Sequence, residues 1–193
     1  MPFSRLDPDL PLYLSFMSTR PFENLIPRIA GSAYIDPAAL VIGDVEIGAD
    51  SSVWPLTVIR GDINSIKIGA YTNIQDGSIL HVSHDSEYAP GGFGLRLGSR
   101  ITVGHHVVLH GCEIQDMCLI GMGSIVLDGA RIERGAMLAA GSLVAPGKVL
   151  EGGFLWRGSP VRRARELTSQ ECDYLDYSAD YYTQLARRHA RRV

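Results

Sequence analysis

Aliphatic residues return every six positions along most of this chain. Taking the aliphatic residue that opens each six as position one, the openings run Ile29, Ile35, Val41, Ile47, Val53 and Ile59, slip by three residues, and resume at Ile68, Ile74 and Leu80. A longer interruption precedes Leu97, Val103 and Leu109. One residue is then dropped, and the series continues as Ile114, Ile120, Val126, Ile132, Leu138, Val144 and Leu150. Position two is often Gly, as in Gly48, Gly69, Gly98, Gly104 and Gly121, and position five is small, as in Ser51, Thr72, Ser78, Ser124 and Ser142. A period of six fits neither the 3.6-residue helix repeat nor an isolated amphipathic strand; it is the signature of a hexapeptide parallel β-helix. Nineteen openings on one spacing exclude coincidence.

Each hexad predicts a short strand and a turn, and three hexads predict one roughly triangular coil. Coils stack through backbone hydrogen bonds at about 4.8 Å, with position one pointing inward as an aliphatic column. Residues three hexads apart therefore lie one above the other. The hexads opening at Ile68, Ile74 and Leu80 supply faces one, two and three of a coil. Leu97, Val103 and Leu109 supply the same faces of the next, the interruption between Leu80 and Leu97 looping out.

This frame places the histidines. His81 and His110 are both position two of face three, so they stack on the order of 5 Å apart. That separation suits two imidazoles gripping one ion through metal–nitrogen bonds of about 2.0–2.1 Å. His105 is position three of face two, round the corner and badly placed to reach the same ion within one chain. If all three bind one metal, His105 comes from a second chain. The metal then lies at a subunit interface, and three chains about a threefold axis give three equivalent sites. Asp76 should stack below His105 with Gln75 beside it. Arg60 continues the His81–His110 column if the three-residue slip is a local bulge, with Asp62 nearby. An Arg–Asp pair can hold subunits in register, and a carboxylate or amide can orient ligands or a bound water; exposed turn residues are the plainer alternative. His106 should alternate to the opposite side of the strand from His105, and His84 lies where the loop departs.

Composition narrows the class. The 193 residues, 46% of them hydrophobic, suit one domain with a continuous core. A net charge of −3 argues against nucleic acid or an anionic membrane as main partner. Arg162, Arg163, Arg165 and the closing basic run read as a solvated helix face and tail. The first twenty residues are broken by Pro2, Pro8, Pro11, Asp7 and Asp9, a poor signal-peptide core and too short for a membrane span. Met17 is a candidate start. Three cysteines make no disulfide framework and suit a reducing cytoplasm, with Cys112 and Cys118 as small buried thiols.

The repeats stop after Leu150, and Gly158-Ser159-Pro160 punctuates the exit. Thr168-Ser169-Gln170-Glu171 matches a capping box, which predicts a helix from near Ser169. Leu175, Ser178, Tyr182 and Leu185 should pack back on the β-helix or on a neighbouring subunit, and Tyr174, Tyr177, Tyr181 and Tyr182 read as an aromatic packing face. The division is an N-terminal extension over 1–22, a β-helix over 23–157, and a linker with a C-terminal helix over 158–193.

The chain resembles the gamma-class carbonic anhydrase family in Arg60-Gly61-Asp62, Asn73-Ile74-Gln75-Asp76, Leu80-His81, Val103-Gly104-His105, Leu109-His110-Gly111-Cys112 and Ile120-Gly121-Met122-Gly123. The resemblance covers about residues 20 to 185 and implies an all-β, single-stranded left-handed parallel β-helix with a C-terminal α-helix, assembled as a homotrimer. It implies zinc, or iron or cobalt, held by His81 and His110 of one chain and His105 of the next, and reversible hydration of carbon dioxide by a metal-bound hydroxide. In the family, residues matching Gln75 and Asp62 help place the hydroxide and product, while Arg60 and Asp76 contribute to the interface network. The sequence departs from the well-established enzymes where they carry a proton-shuttling Glu just after the Arg-x-Asp motif. Here that position is Ile63, and the loop Val82 to Arg96 offers only His84, Asp85, Glu87 and Tyr88. It looks like the short bacterial branch, some of whose members show little hydratase activity, and without a good shuttle its turnover should be limited by proton export. The competing readings are a hexapeptide acyltransferase with one His as base beside a coenzyme A groove, a thioesterase-like hydrolase, and a metal-stabilised scaffold.

Overall fold

Inward-pointing aliphatic side chains explain the architecture of the chain, described here from a computed structural model over residues 18–191. Met17 lies outside the described residues. Every opening from Val41 to Leu150 is at most 3% exposed, and Ile29 and Ile35, at the open end, are partly buried against the same core. The result is a left-handed parallel β-helix closed by one C-terminal α-helix.

The registers follow the hexad count. Face one pairs Ile47 with Ile68, Ile68 with Leu97 and Leu97 with Ile114. Face two pairs Val53 with Ile74, Ile74 with Val103 and Val103 with Ile120. Face three pairs Ile59 with Leu80, Leu80 with Leu109 and Leu109 with Val126. The three-residue slip is a bulge: the ladder passes from Gly43 opposite Gly61 to Val45 opposite Ile66, leaving the surplus in the longer strand. The excursion is narrower than the expected Val82 to Arg96: Val82 and Leu95 lie in the core and Leu95–Leu97 is already strand, so residues 83–94 loop out, pinned by an antiparallel bridge between Ser83 and Phe93.

One position of the repeat went unread in the sequence. Position four turns most corners with a left-handed backbone, a conformation that favours glycine. It holds glycine at every sixth residue from Gly123 to Gly153 in the later coils, but in the earlier ones Gly77 stands among Asp50, Leu56, Tyr71, Arg100, His106 and Met117. His106 is thus a turn residue with φ +57° rather than the far side of a strand. Its ring lies over Gly77, where an added Cβ would come within 2.4 Å of it.

The helix runs Ser169–Ala190 behind the expected capping box, with Thr168 as N-cap. It packs on face two through Leu175, Ser178, Ala179, Thr183 and Ala186. Arg100 at its corner grips Asp176 and Asp180, and Asp50 takes Arg187. Within this chain only Tyr182 packs inward; Tyr174, Tyr177 and Tyr181 stack on one another at 6.0 Å between ring centroids and stay exposed. The Arg162–Glu166 segment is not a helix face but an exposed strand antiparallel to Phe154–Arg157. Among the described residues, no helix is long and apolar enough to cross a membrane.

The cap carries a pH signature. Arg165 bonds above all, with the Thr168 backbone amide next, hold the Glu171 carboxyl down at about 2 against an ordinary 4.5. A folded pKa below the unfolded one contributes stability that is whole above 4.5 and lost as pH falls towards 2. Helicity measured by circular dichroism in Glu171→Gln is therefore expected to differ from wild type at pH 6 and to converge with it near pH 2.

Candidate metal centre

His81 and His110 are Cα partners on adjacent coils of face three, their ring centroids 5.1 Å apart. Inward of them lie Leu80 and Leu109, both fully buried, so the coil core fixes the backbone from which the two rings project. Each ring also meets a carboxylate. His81 Nε2 lies 3.1 Å from Asp62 Oδ1, and His110 Nδ1 lies 2.5 Å from Asp128 Oδ1. An ionised carboxylate only accepts, so the ring hydrogens sit on His81 Nε2 and His110 Nδ1. In the neutral form of each ring the lone pair is then on His81 Nδ1 and on His110 Nε2, and these atoms are 3.1 Å apart. Two lone pairs facing at that distance repel unless a cation joins them. Two nitrogens bound to one tetrahedral metal at 2.0–2.1 Å stand about 3.3 Å apart, so the pair fits the group.

Electrostatics keep His81 in the ligating form. Burial, with the Arg60 charge adding to it, lowers the His81 pKa despite the bond to Asp62, so the ring is neutral at neutral pH. Asp62 is held below the usual carboxylate range: burial opposes this, but bonds from Arg60 and His81 outweigh it. Arg60 Nη1 donates to Asp62 Oδ2 at 2.5 Å, so Arg60 sits at the head of the column expected for it, next to its Asp62 partner.

His105 stands apart. It lies in the turn between faces two and three, directly over Asp76, its Nδ1 3.0 Å from Asp76 Oδ2. Its Nε2 is thereby left as the lone pair. Among the described residues no group of three or more His, Cys, Asp or Glu side chains within this one chain is placed to hold a metal. Beside His105 runs a groove of about 800 Å³, lined by Gln75, Met122, Met137, Tyr174, Tyr177 and Tyr182 among others. Cys112 and Cys118 take no part: burial pushes both thiols up, Cys118 to about 12, leaving them protonated.

No family model matches the chain. It is 52% identical over 163 residues to protein YrdA of Escherichia coli K12, covering 84% of this chain and 89% of that one. The carbonic anhydrase of Geobacillus kaustophilus is 47% identical over 151 residues, with 78% of this chain and 79% of that one covered. Gamma carbonic anhydrase 1, mitochondrial, of Arabidopsis thaliana is 42% identical over 164 residues, 85% of this chain and 59% of that one. The chain belongs to the gamma carbonic anhydrase family. Among solved structures, a hexapeptide transferase family protein from Anaplasma phagocytophilum superposes with a TM-score of 0.79 at 39% identity, covering 88% of this chain and 96% of that one.

In this gamma carbonic anhydrase family member each of the three histidines is backed by one carboxylate: Asp62 on His81, Asp76 on His105 and Asp128 on His110. Asp128 was not singled out in the sequence. Its signal was available: Val126 opens the next hexad of face three, which stacks Leu127 over His110 and puts Asp128 one position further on, beside Gly111. Its second oxygen accepts from Ser83 Oγ at 2.7 Å, tying the base of the excursion to the same carboxylate.

Proposed function

We propose that the chain is a metal-dependent lyase that reversibly hydrates carbon dioxide to bicarbonate, with one metal held by His81 and His110 of one subunit and His105 of its neighbour in a homotrimer. The observation that carries this is the pair of ring lone pairs, on His81 Nδ1 and His110 Nε2, converging from carboxylate-fixed tautomers. Three neutral imidazoles suit zinc, with iron(II) or cobalt(II) as alternatives. When bound, the metal supplies Lewis-acid activation of water, the chemistry that hydration requires.

The chain's own residues do the rest. Asp62, Asp76 and Asp128 fix tautomer and ring direction, and Arg60 keeps Asp62 ionised. Gln75 is 95% buried and reaches the groove beside His105, where it positions the attacking water and the product. A neighbour covering the pair accounts for the outward aliphatic stripe beside it, in which Ile79 is 47% and Ile125 39% exposed. Ile63 cannot carry a proton, and His84, Glu87 and Tyr88 are exposed on the excursion. Proton export therefore limits turnover. The free thiols agree with a cytoplasmic location.

Metal analysis with stopped-flow hydration tests the reading. We expect about one metal per chain, activity abolished by chelation and restored by zinc, iron(II) or cobalt(II). Asp128→Asn should weaken metal affinity about 10- to 100-fold with the trimer intact. Metal-loaded protein without hydration removes the enzyme. An acyltransferase is the second reading, favoured by the likeness to the Anaplasma protein; coenzyme A retained through purification would support it.

A further inference from the structure

Four of the buried polar side chains outside the histidine cluster lie together: Asn73, Gln75, Thr102 and Ser178, between 1% and 6% exposed. None is an aliphatic opening, and burying an amide or hydroxyl is unfavourable unless it is hydrogen-bonded. They satisfy one another in a single line. Gln75 Nε2 donates to Asn73 Oδ1 at 3.1 Å, and Asn73 Nδ2 donates to Thr102 Oγ1 at 3.0 Å. Thr102 Oγ1 lies 2.9 Å from Ser178 Oγ, which projects from the terminal helix.

The direction of this line is set at Asn73. Its Nδ2 also reaches the Ile101 carbonyl at 3.4 Å, a group that can only accept, so the amide nitrogen of Asn73 faces that way and its oxygen faces Gln75. Only the nitrogen end of Gln75 can meet that oxygen. The Gln75 carbonyl oxygen is then the end left for the groove, which His105, Thr102, Ser178 and Tyr182 line with it. Thr102 accepts from Asn73, and its hydroxyl shares one further hydrogen bond with that of Ser178, in which either oxygen can donate. The line therefore starts on the terminal helix and ends at the proposed site.

We infer that Ser178 and Thr102 are positioning residues: through Asn73 they hold Gln75 with its carbonyl oxygen presented beside His105, so that the site selects ligands offering an O–H to that oxygen. Water and bicarbonate carry such a hydrogen; nitrate and acetate do not. The inference rests on the hydration reading above, which supplies the ligand class.

The test uses metal-loaded, full-length protein labelled with nitrogen-15 glutamine. The chain has four glutamines, and the Gln75 side-chain signal is assigned by its loss in Gln75→Ala. Loss of one buried hydrogen bond should speed proton exchange of the Gln75 amide about fivefold to tenfold in Thr102→Val and in Ser178→Ala, while Thr102→Ser remains native-like. In hydration assays both variants should lose kcat by a similar factor with KM and metal content unchanged. Inhibition by nitrate should strengthen relative to bicarbonate. Neither variant should lower kcat further in a Gln75→Ala background. Exchange unchanged in both variants overturns the inference, as does a kcat loss that persists without Gln75; Ser178→Ala decides alone if Thr102→Val does not fold. A native protein with metal but no hydration defeats the hydration reading, while amide exchange still decides whether the line holds Gln75.

Discussion

Mixing two inactive variants is expected to restore activity. His105→Ala keeps the His81–His110 pair but lacks the corner histidine, and His110→Ala keeps His105 but breaks the pair. Each alone should lose stoichiometric metal and hydration. Co-expressed or dissociated and reassembled together, on the proposed trimer they should form mixed assemblies in which a His105→Ala chain can present its pair to the His105 of a His110→Ala neighbour. With random assembly about a quarter of the sites are complete, so about a quarter of wild-type metal content and activity should return. The geometry behind this is direct: His105 sits at a different corner from the pair and bonds Asp76, whereas the pair bonds Asp62 and Asp128. Metal retained at full stoichiometry in His105→Ala, or no recovery on mixing, would sink the shared site.

The second large effect lies behind the pair. Leu109 is fully buried, stacked between Leu80 and Val126, and immediately precedes His110. Leu109→Ala removes contacts to both neighbouring coils and leaves a cavity, so a loss of about 2–5 kcal/mol is expected. For a domain of this size that lowers the thermal midpoint on the order of 10 °C. Calorimetry on the metal-free protein reads this term alone. On the metal-loaded protein a larger shift is expected, because the same cavity loosens the backbone that aims His110. Equal shifts in both forms would show that the core column and the pair are independent.

The stacking of coils was legible because position one is nearly always aliphatic and its inward direction fixes every register. His81 over His110 and His105 over Asp76 followed from counting alone. Handedness was not legible, since periodicity is blind to it and the resemblance supplied it. The left-handed corner at position four stayed hidden because the earlier coils fill it mostly with Asp50, Tyr71, Arg100 and His106, and glycine becomes regular there only in the later coils. Helix-clamping contacts occupy several of those places: Arg100 and Asp50 hold the terminal helix. Asp128 was missed because the count was read within the two coils that carry the histidines, while its carboxylate reaches down from the next. Helical spacing tells which tyrosines share a face, not whether this chain or a neighbouring one covers that face.

The clamp on Asp50 has a bearing on how the molecule is made. Thr183 and Arg187 bond Asp50 across separations of 133 and 137 residues, and Tyr34 and Trp54 bury against Ala186 with Tyr182 packed beside them. A solenoid can otherwise wind as it leaves the ribosome, each coil resting on the one before. Here the earliest coils wait for their outer cover until the helix emerges, which at roughly 5–20 residues per second is a delay of several seconds or more. During that interval Trp54 and Tyr34 are bare, and a nascent chain stalled before Tyr182 is the form that chaperones would meet.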